Sequence, residues 1–463
     1  MIILGIAYIA ILATLAIVSR RKVKTANDFM MGGFNIGYFL GFMTFAATLF
    51  STFTLMGMPD FFRNHGVAAW MFLAVSDGTM IFMVLWFGYY LRKRAGGTNF
   101  KGMAGLLTKC YGNKWAGYIY FIGIFLFLVP YVSIQIRGIS IFLDAAFEHA
   151  LPAWGWASLI LVVMLLYSET GGLKAIMYSD VLQGVLLMGV VWIIAYTCIQ
   201  NLGGVKEMFE QVKNTDEALL SAPGPKGLFS VQFLIASMIA ITMIPVTQPQ
   251  LSSRLVIMKN QSSMNRMAVA VGCFAILVIL PTVAIGMYGA VKYADYSTSD
   301  FLSQVLLFDQ LDVLAATTMV GLIAAAISTS DSQIFALSSE LRSLLKGDEK
   351  VVMTKTKVGM FVFALAALVF SLISSDQLVL LARVSFAGTA LMAPMILAAI
   401  LSDKARSMSL VWVTAGTVLL FIGSLLGIVP SMISGFRMDL LLFIFLGLFT
   451  TTILIVDKKS ERV

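Results

Sequence analysis

The chain has 463 residues, 59% of them hydrophobic and 12% charged, with a formal net charge of +8 and a mean hydropathy of +0.91. A soluble domain carries about 25% charged and 45–50% apolar residues, and a soluble fold of this length has too little interior to hide the excess. The composition excludes a soluble enzyme, a disulfide-stapled secreted scaffold and a disordered chain, and it reads as a polytopic membrane protein.

In chain order, apolar runs fall at about 2–19, 37–58, 67–91, 115–147, 154–170, 176–200, 228–248, 267–291, 313–340, 358–375, 377–401, 408–429 and 438–456. At about 20 residues per crossing, they predict about 13 transmembrane helices. The runs are unbroken rather than alternating, so the fold class is all-α and not a transmembrane barrel. The basic cluster RRKVK (20–24) follows the first run, which therefore reads as a span and not as a cleaved signal peptide. The longest outer connection, about 201–227 with PGP at 223–225, is too short to fold alone. The acidic segment around Asp295, Asp300, Asp309 and Asp312 reads as a solvated loop with a short amphipathic helix.

The position of the basic residues matters more than their sum. With RRKVK inside, about 24 of the 32 lysines and arginines fall in inner loops, Arg254, Lys259 and Arg266 among them, and about 6 outside. That bias predicts an outer N-terminus and an inner C-terminus, and it makes the +8 no sign of a nucleic-acid partner. Cys110, Cys198 and Cys273 are odd in number and widely spaced, and His65 and His149 are the only histidines. This argues against a disulfide framework, a zinc site or a haem.

Polar residues at membrane depth are costly and therefore mark function. The ninth run contains AAAISTSDSQIFALSS (324–339). Ala325, Ser328, Thr329 and Ser332 are spaced three and four apart and share a helix face, with Asp331 on its edge. Hydroxyls, a carboxylate and nearby carbonyls suit a hard monovalent cation, whereas hydroxyls in membrane helices also serve close packing. At 1.5 Å per residue, Ser328 lies roughly 22 Å and Ser332 roughly 28 Å below the outer end of its helix. Asp180 enters from the inner side and lies roughly 6–8 Å up, at similar depth, either as a cation ligand or as a helix cap. The second run, GFMTFAATLFSTFTLMGMP (41–59), permits a broken helix whose freed carbonyls would bind a cation. Gln135 and Arg137 follow Pro130 in the fourth run; Arg137 would neutralise a substrate carboxylate or pair with Asp144. Asp77 is a candidate for substrate polar groups, and Arg383 reads as an interfacial anchor.

These residues resemble the sodium:solute symporter family of sodium/glucose, proline, pantothenate and sialic acid transporters. The resemblance lies in TANDFMMGG (25–33), AATLFSTFTLMGMP (46–59), YSETGGLKAIMYSDVLQG (167–184), QPQLSSRLVIMKN (248–260) and AAAISTSDSQIFALSS (324–339), in family order. A departure is GGFN (32–35), which lacks the basic residue common after the two glycines. The resemblance implies a LeuT-like five-plus-five inverted-repeat core. Its parts would be an N-terminal extra helix and loop (1–36), a first repeat (37–200), an extracellular loop (201–227), a second repeat (228–401) and two C-terminal helices with a short tail (402–463). It implies a main Na⁺ site at Ala47, Phe50, Ala325, Ser328 and Thr329, and a possible second cation site at Asp180, Asp331 and Ser332. Asp331 stands where members with that site have a serine, which leaves a proton possible as the coupling ion. Substrate contacts would come from Ser51, Thr54 and Gln135, joined by Asp77 and Arg137 on this chain's own chemistry.

The expectation is a sodium-coupled symporter, not an enzyme, importing a small organic solute by alternating access, with a slight preference for a carboxylate-bearing anion or zwitterion. It would act as a monomer in a bacterial inner membrane, with Na⁺, the solute and the lipid bilayer as its partners. A proton-coupled symporter of the same fold and a solute-sensing membrane module are the alternatives. The short tail after the last run argues against the sensor.

Overall fold

The computed structural model describes residues 2–20, 25–96, 100–147, 150–374, 376–401 and 407–460. Most of RRKVK, Lys404, Arg406 and His149 lie outside the described residues. In a bilayer every backbone polar group has to be satisfied internally, so each apolar run closes on itself as a helix. Among the described residues, nine helices are long and apolar enough to cross a membrane, and two bent helix pairs meet the same test together. Two shorter apolar helices, Trp154–Leu166 and Val231–Thr242, complete the set. Each falls on one of the predicted runs.

The elements that matter below are α1 (Ile2–Arg20) and α2 (Tyr38–Leu49), with α3 (Met58–His65) continuing α2 beyond a break. They continue with α4 (Ser76–Ala95), α5 (Met103–Tyr111), α6 (Lys114–Ala146) and α7 (Ala153–Asn201). Next come α8 (Val231–Thr242), α9 (Pro249–Ile257), α10 (Gln261–Lys292) and α11 (Asp312–Leu344). Last are α12 (Glu349–Ile373), α13 (Leu378–Ala390), α14 (Ala393–Ile400), α15 (Met408–Leu425) and α16 (Met438–Ser460).

Polar residues cap the ends where helices meet the aqueous side. Asn113 accepts from Trp115 N ahead of α6, Asn260 from Ser263 N ahead of α10, and Asp348 from Lys350 N ahead of α12. Each takes up one of the backbone donors that a helix start leaves unpaired. The fifth and sixth runs join as α7, which turns at Gly172 with φ +63° and ψ −167°. A Cβ there would sit 2.7 Å from the backbone oxygen of Phe29, so both conformation and space require glycine.

The helix α11 is the hub. It packs against α7, α6, α12, α2 and α9, and from Ala315 to Arg342 most of its residues are buried. At one end Glu340 accepts from Met103 N at 2.9 Å and Ala104 N at 2.6 Å, fastening the start of α5 to α11.

Two expectations change here. Arg383 is not an interfacial anchor. It is buried, bonded to Asp439 at 2.6 Å and Ser237 at 2.8 Å, and stacked over Phe233 at 4.6 Å. It ties α16 to α13 and α8, and its partner lies too far along the chain to be visible locally. Asp309 is not solvated by default either; it accepts from Tyr288, Tyr293 and Gln304. Asp439→Asn should leave a buried guanidinium short of its carboxylate and cost on the order of 3 kcal/mol. Thermal unfolding of the purified protein reads this, and an unchanged midpoint would remove the pair from the stability account.

Candidate cation and solute sites

The helix of residues 38–65 breaks at Phe50, whose backbone is extended (φ −97°, ψ 119°), and its two halves meet at 52°. Ser51 and Thr54 hold the break: Ser51 N donates to Thr54 Oγ1 at 3.2 Å and Phe53 N to Ser51 Oγ at 3.2 Å. Short hydroxyl side chains compete with helical hydrogen bonding in this way. The last turn of α2 thereby keeps carbonyl oxygens available, and α11 runs past them.

Ser328 Oγ lies 3.1 Å from Ala47 O, and Thr329 Oγ1 lies 3.4 Å from Ala47 O and 3.3 Å from Thr48 O. Ala325 sits one turn earlier on α11 and is buried, as is Phe50. The structure therefore brings Ala47, Ser328 and Thr329 of the expected main site together, with Phe50 and Ala325 buried about one turn away along their own chains. The available donors are all oxygen and carry no formal charge, a set that suits a hard cation rather than a soft or redox metal.

Asp180 of α7 joins the same cluster. Its Oδ1 is 2.6 Å from Ser328 Oγ, and its other oxygen accepts from Thr44. The rise per residue puts it level with Ser328, and the fold brings the two into contact. What the sequence did not show is Arg254. Counted there as an inner-loop residue, it lies in α9 and is 1% exposed. Its Nη2 donates to Ser332 Oγ at 2.8 Å, Nε to Thr44 Oγ1 at 3.0 Å and Nη1 to Gln250 O at 2.5 Å, and Nη2 lies 3.7 Å from Asp180 Oδ2. Thr48 Oγ1 donates to Ser332 Oγ at 3.0 Å. Asp180 and Ser332 thus meet as expected, but around a guanidinium. Asp331 is buried next to Ser332 on α11. The signal for Arg254 was a lone arginine inside the apolar stretch LSSRLVI (251–257).

The expected solute contacts divide into two levels. Gln135 is fully buried; its Nε2 donates to Tyr131 O at 3.4 Å, and its Oε1 has no hydrogen-bond partner among the described residues. Asp77 is 7% exposed and lies in the first turn of α4. Arg137 is elsewhere. Its Nε bonds Asp376 at 2.8 Å, not Asp144, and its side chain is 25% exposed. It lines a cavity of about 640 Å³ together with Ser140, Asp144, Ser303 and Gln304. A second cavity of about 370 Å³ adjoins it, lined by Asp60, Arg63, Tyr296 and Asp376. Around Arg254 and Glu340, at the other end of the bundle, only about 10 Å³ is free.

A helix broken at mid-membrane against an unbroken hub helix is the arrangement of LeuT-like transporters, and the chain has that fold. It superposes on a Na⁺-coupled sialic acid symporter solved substrate-bound and outward-open, with a TM-score of 0.78 at 16% identity over 96% of each chain. It also superposes on MhsT in complex with L-phenylalanine, with a TM-score of 0.56 at 15% identity over 90% of this chain and 98% of that one. Residues 29–415 match the model of the sodium:solute symporter family. The chain belongs to the sodium:solute symporter family, whose members are multi-pass membrane transporters and not enzymes. A sodium/pantothenate symporter of Haemophilus influenzae is 23% identical over 71% of this chain and 67% of its own length. Sodium/proline symporter 2 of Staphylococcus saprophyticus is 25% identical over 71% and 66%. The chain thus spans about two thirds of the length of these two relatives.

Proposed function

We propose that the protein imports a small organic solute together with Na⁺ by alternating access. The observation that carries this reading is the meeting of the Ser328 and Thr329 hydroxyls with the Ala47 and Thr48 carbonyls at the break of α2. A cation held by Ala47, Phe50, Ala325, Ser328 and Thr329 joins the broken helix to the hub. A state that keeps these oxygens together binds Na⁺ more tightly than one that parts them, and this difference is the coupling. The membrane potential adds about 2.3 kcal/mol per charge per 100 mV.

The two repeats are residues 37–200 and 228–401, with the N-terminus outside, the C-terminus in the cytoplasm, and the protein acting as a monomer in a bacterial inner membrane. In that orientation the two larger cavities face outward and the closed end around Arg254 faces inward. Ser51 and Thr54 shape the break; Gln135 and Asp77 supply the unspent polar groups below the outer cavity. Asp376 engages only Nε of Arg137 among the described residues, which leaves the Nη groups for a carboxylate. A carboxylate-bearing solute, anion or zwitterion, suits these groups better than a neutral sugar does.

Thermal-shift screening of the purified protein, with and without Na⁺, tests this against amino acids, sialic acids, pantothenate, short carboxylates and sugars. A carboxylate-bearing solute should raise the unfolding midpoint, and more so in Na⁺ than in K⁺. Stabilisation by neutral sugars alone would remove Asp77 and Arg137 from the solute site.

A further inference from the structure

We infer that Arg254 is a tethered cation filling the second cation position, so that one Na⁺ rather than two binds each chain. The inference rests on the Na⁺ reading above and concerns only how many ions it involves. Asp180, Asp331 and Ser332 are the expected ligands of a second ion, and Thr44 lies against Asp180 beside them. A serine hydroxyl has two acceptor lone pairs and one donor hydrogen. Ser332 Oγ accepts from Arg254 Nη2 at 2.8 Å and from Thr48 Oγ1 at 3.0 Å, so both lone pairs are spent. Thr44 passes its own hydrogen to Asp180 while accepting from Arg254 Nε at 3.0 Å. The Asp180 carboxylate is fully buried and accepts from Thr44 and Ser328, with the guanidinium 3.7 Å away as its counter-charge.

A mobile cation entering here would displace the guanidinium or sit against a like charge in a poorly screened interior. The guanidinium itself cannot lose its proton to make room. Arg254 also spans three elements: it sits on α9 and bonds side chains of α2 and α11, the two helices that hold the main site. It supplies the positive charge that would hold these helices together at this level, without being exchanged in each cycle. Asp331 is the buried carboxylate next to Ser332 on α11, and the same experiment examines it.

The test is equilibrium binding of radioactive sodium to the full chain purified into lipid nanodiscs. The wild type should bind one Na⁺ per chain. Arg254→Ala and Arg254→Gln vacate a space lined by Asp180, Ser332 and Thr44, and should bind two. Arg254→Lys keeps the charge and should bind one, as should Asp331→Asn. Two ions on the wild type would overturn the inference, as would a folded Arg254→Gln protein that still binds one. If neither neutral variant folds, the wild-type count alone decides. No binding at all would instead sink the Na⁺ reading beneath it.

Discussion

Thr329→Ala and Ser328→Ala should each raise the Na⁺ concentration that half-saturates uptake by about 10- to 100-fold. A hydrogen bond or ligand contact to a charged group is worth about 1.5–3 kcal/mol, and each 1.4 kcal/mol is about tenfold in affinity. The two variants should differ in a second respect. Among the described residues the Thr329 hydroxyl hydrogen-bonds only to the Ala47 and Thr48 carbonyls, whereas Ser328 also donates to Asp180. Thr329→Ala should therefore change Na⁺ dependence with little loss of stability, and Ser328→Ala should lower both. Membrane insertion should survive in each, because neither hydroxyl closes a helical backbone bond. Unchanged Na⁺ dependence in both variants would move the ion elsewhere.

Asp180→Asn should produce the larger loss of stability. It leaves Arg254 buried at 1% exposure without its counter-charge, and breaking one side of a buried pair costs on the order of 3–5 kcal/mol. Removing both charges together is often close to neutral. Asp180→Asn combined with Arg254→Met should therefore recover most of the lost stability, a coupling that the double-mutant cycle isolates. Unfolding midpoints followed by tryptophan fluorescence would show it. Single and double variants destabilised equally would mean that the 3.7 Å pair carries no stabilising charge interaction.

The fold was largely legible because a bilayer makes each span a local property of about 20 residues. The break near Phe50 was legible for a related reason: small and hydroxyl residues followed by Gly57 and Pro59 make a continuous helix expensive. The common level of Asp180 and Ser328 followed from a fixed rise per residue, which turns sequence position into depth; that they touch is shown by the fold. Depth says nothing about lateral partners, and there the reading ran out. Arg254 falls in a segment that a charge tally assigns to the cytoplasm, and only the packing of α9 against α11 and α2 shows it buried. Arg137 could be matched to Asp144 two turns away, yet it bonds Asp376, which the fold brings up beside it. Arg383 and Asp439 are a third case. In each, the arginine is explained by a carboxylate distant in sequence, on another helix for Arg254 and Arg383 and in the bend before α13 for Arg137, a relation that neither hydropathy nor local spacing encodes.

Uptake into proteoliposomes tests the central claim most directly, using the solute that Na⁺-dependent thermal shifts identify. With an inward Na⁺ gradient the solute should accumulate above its outside concentration, and it should only equilibrate when Na⁺ is equal on both sides. Accumulation driven by a proton gradient in Na⁺-free medium, with no response to added Na⁺, would contradict the account.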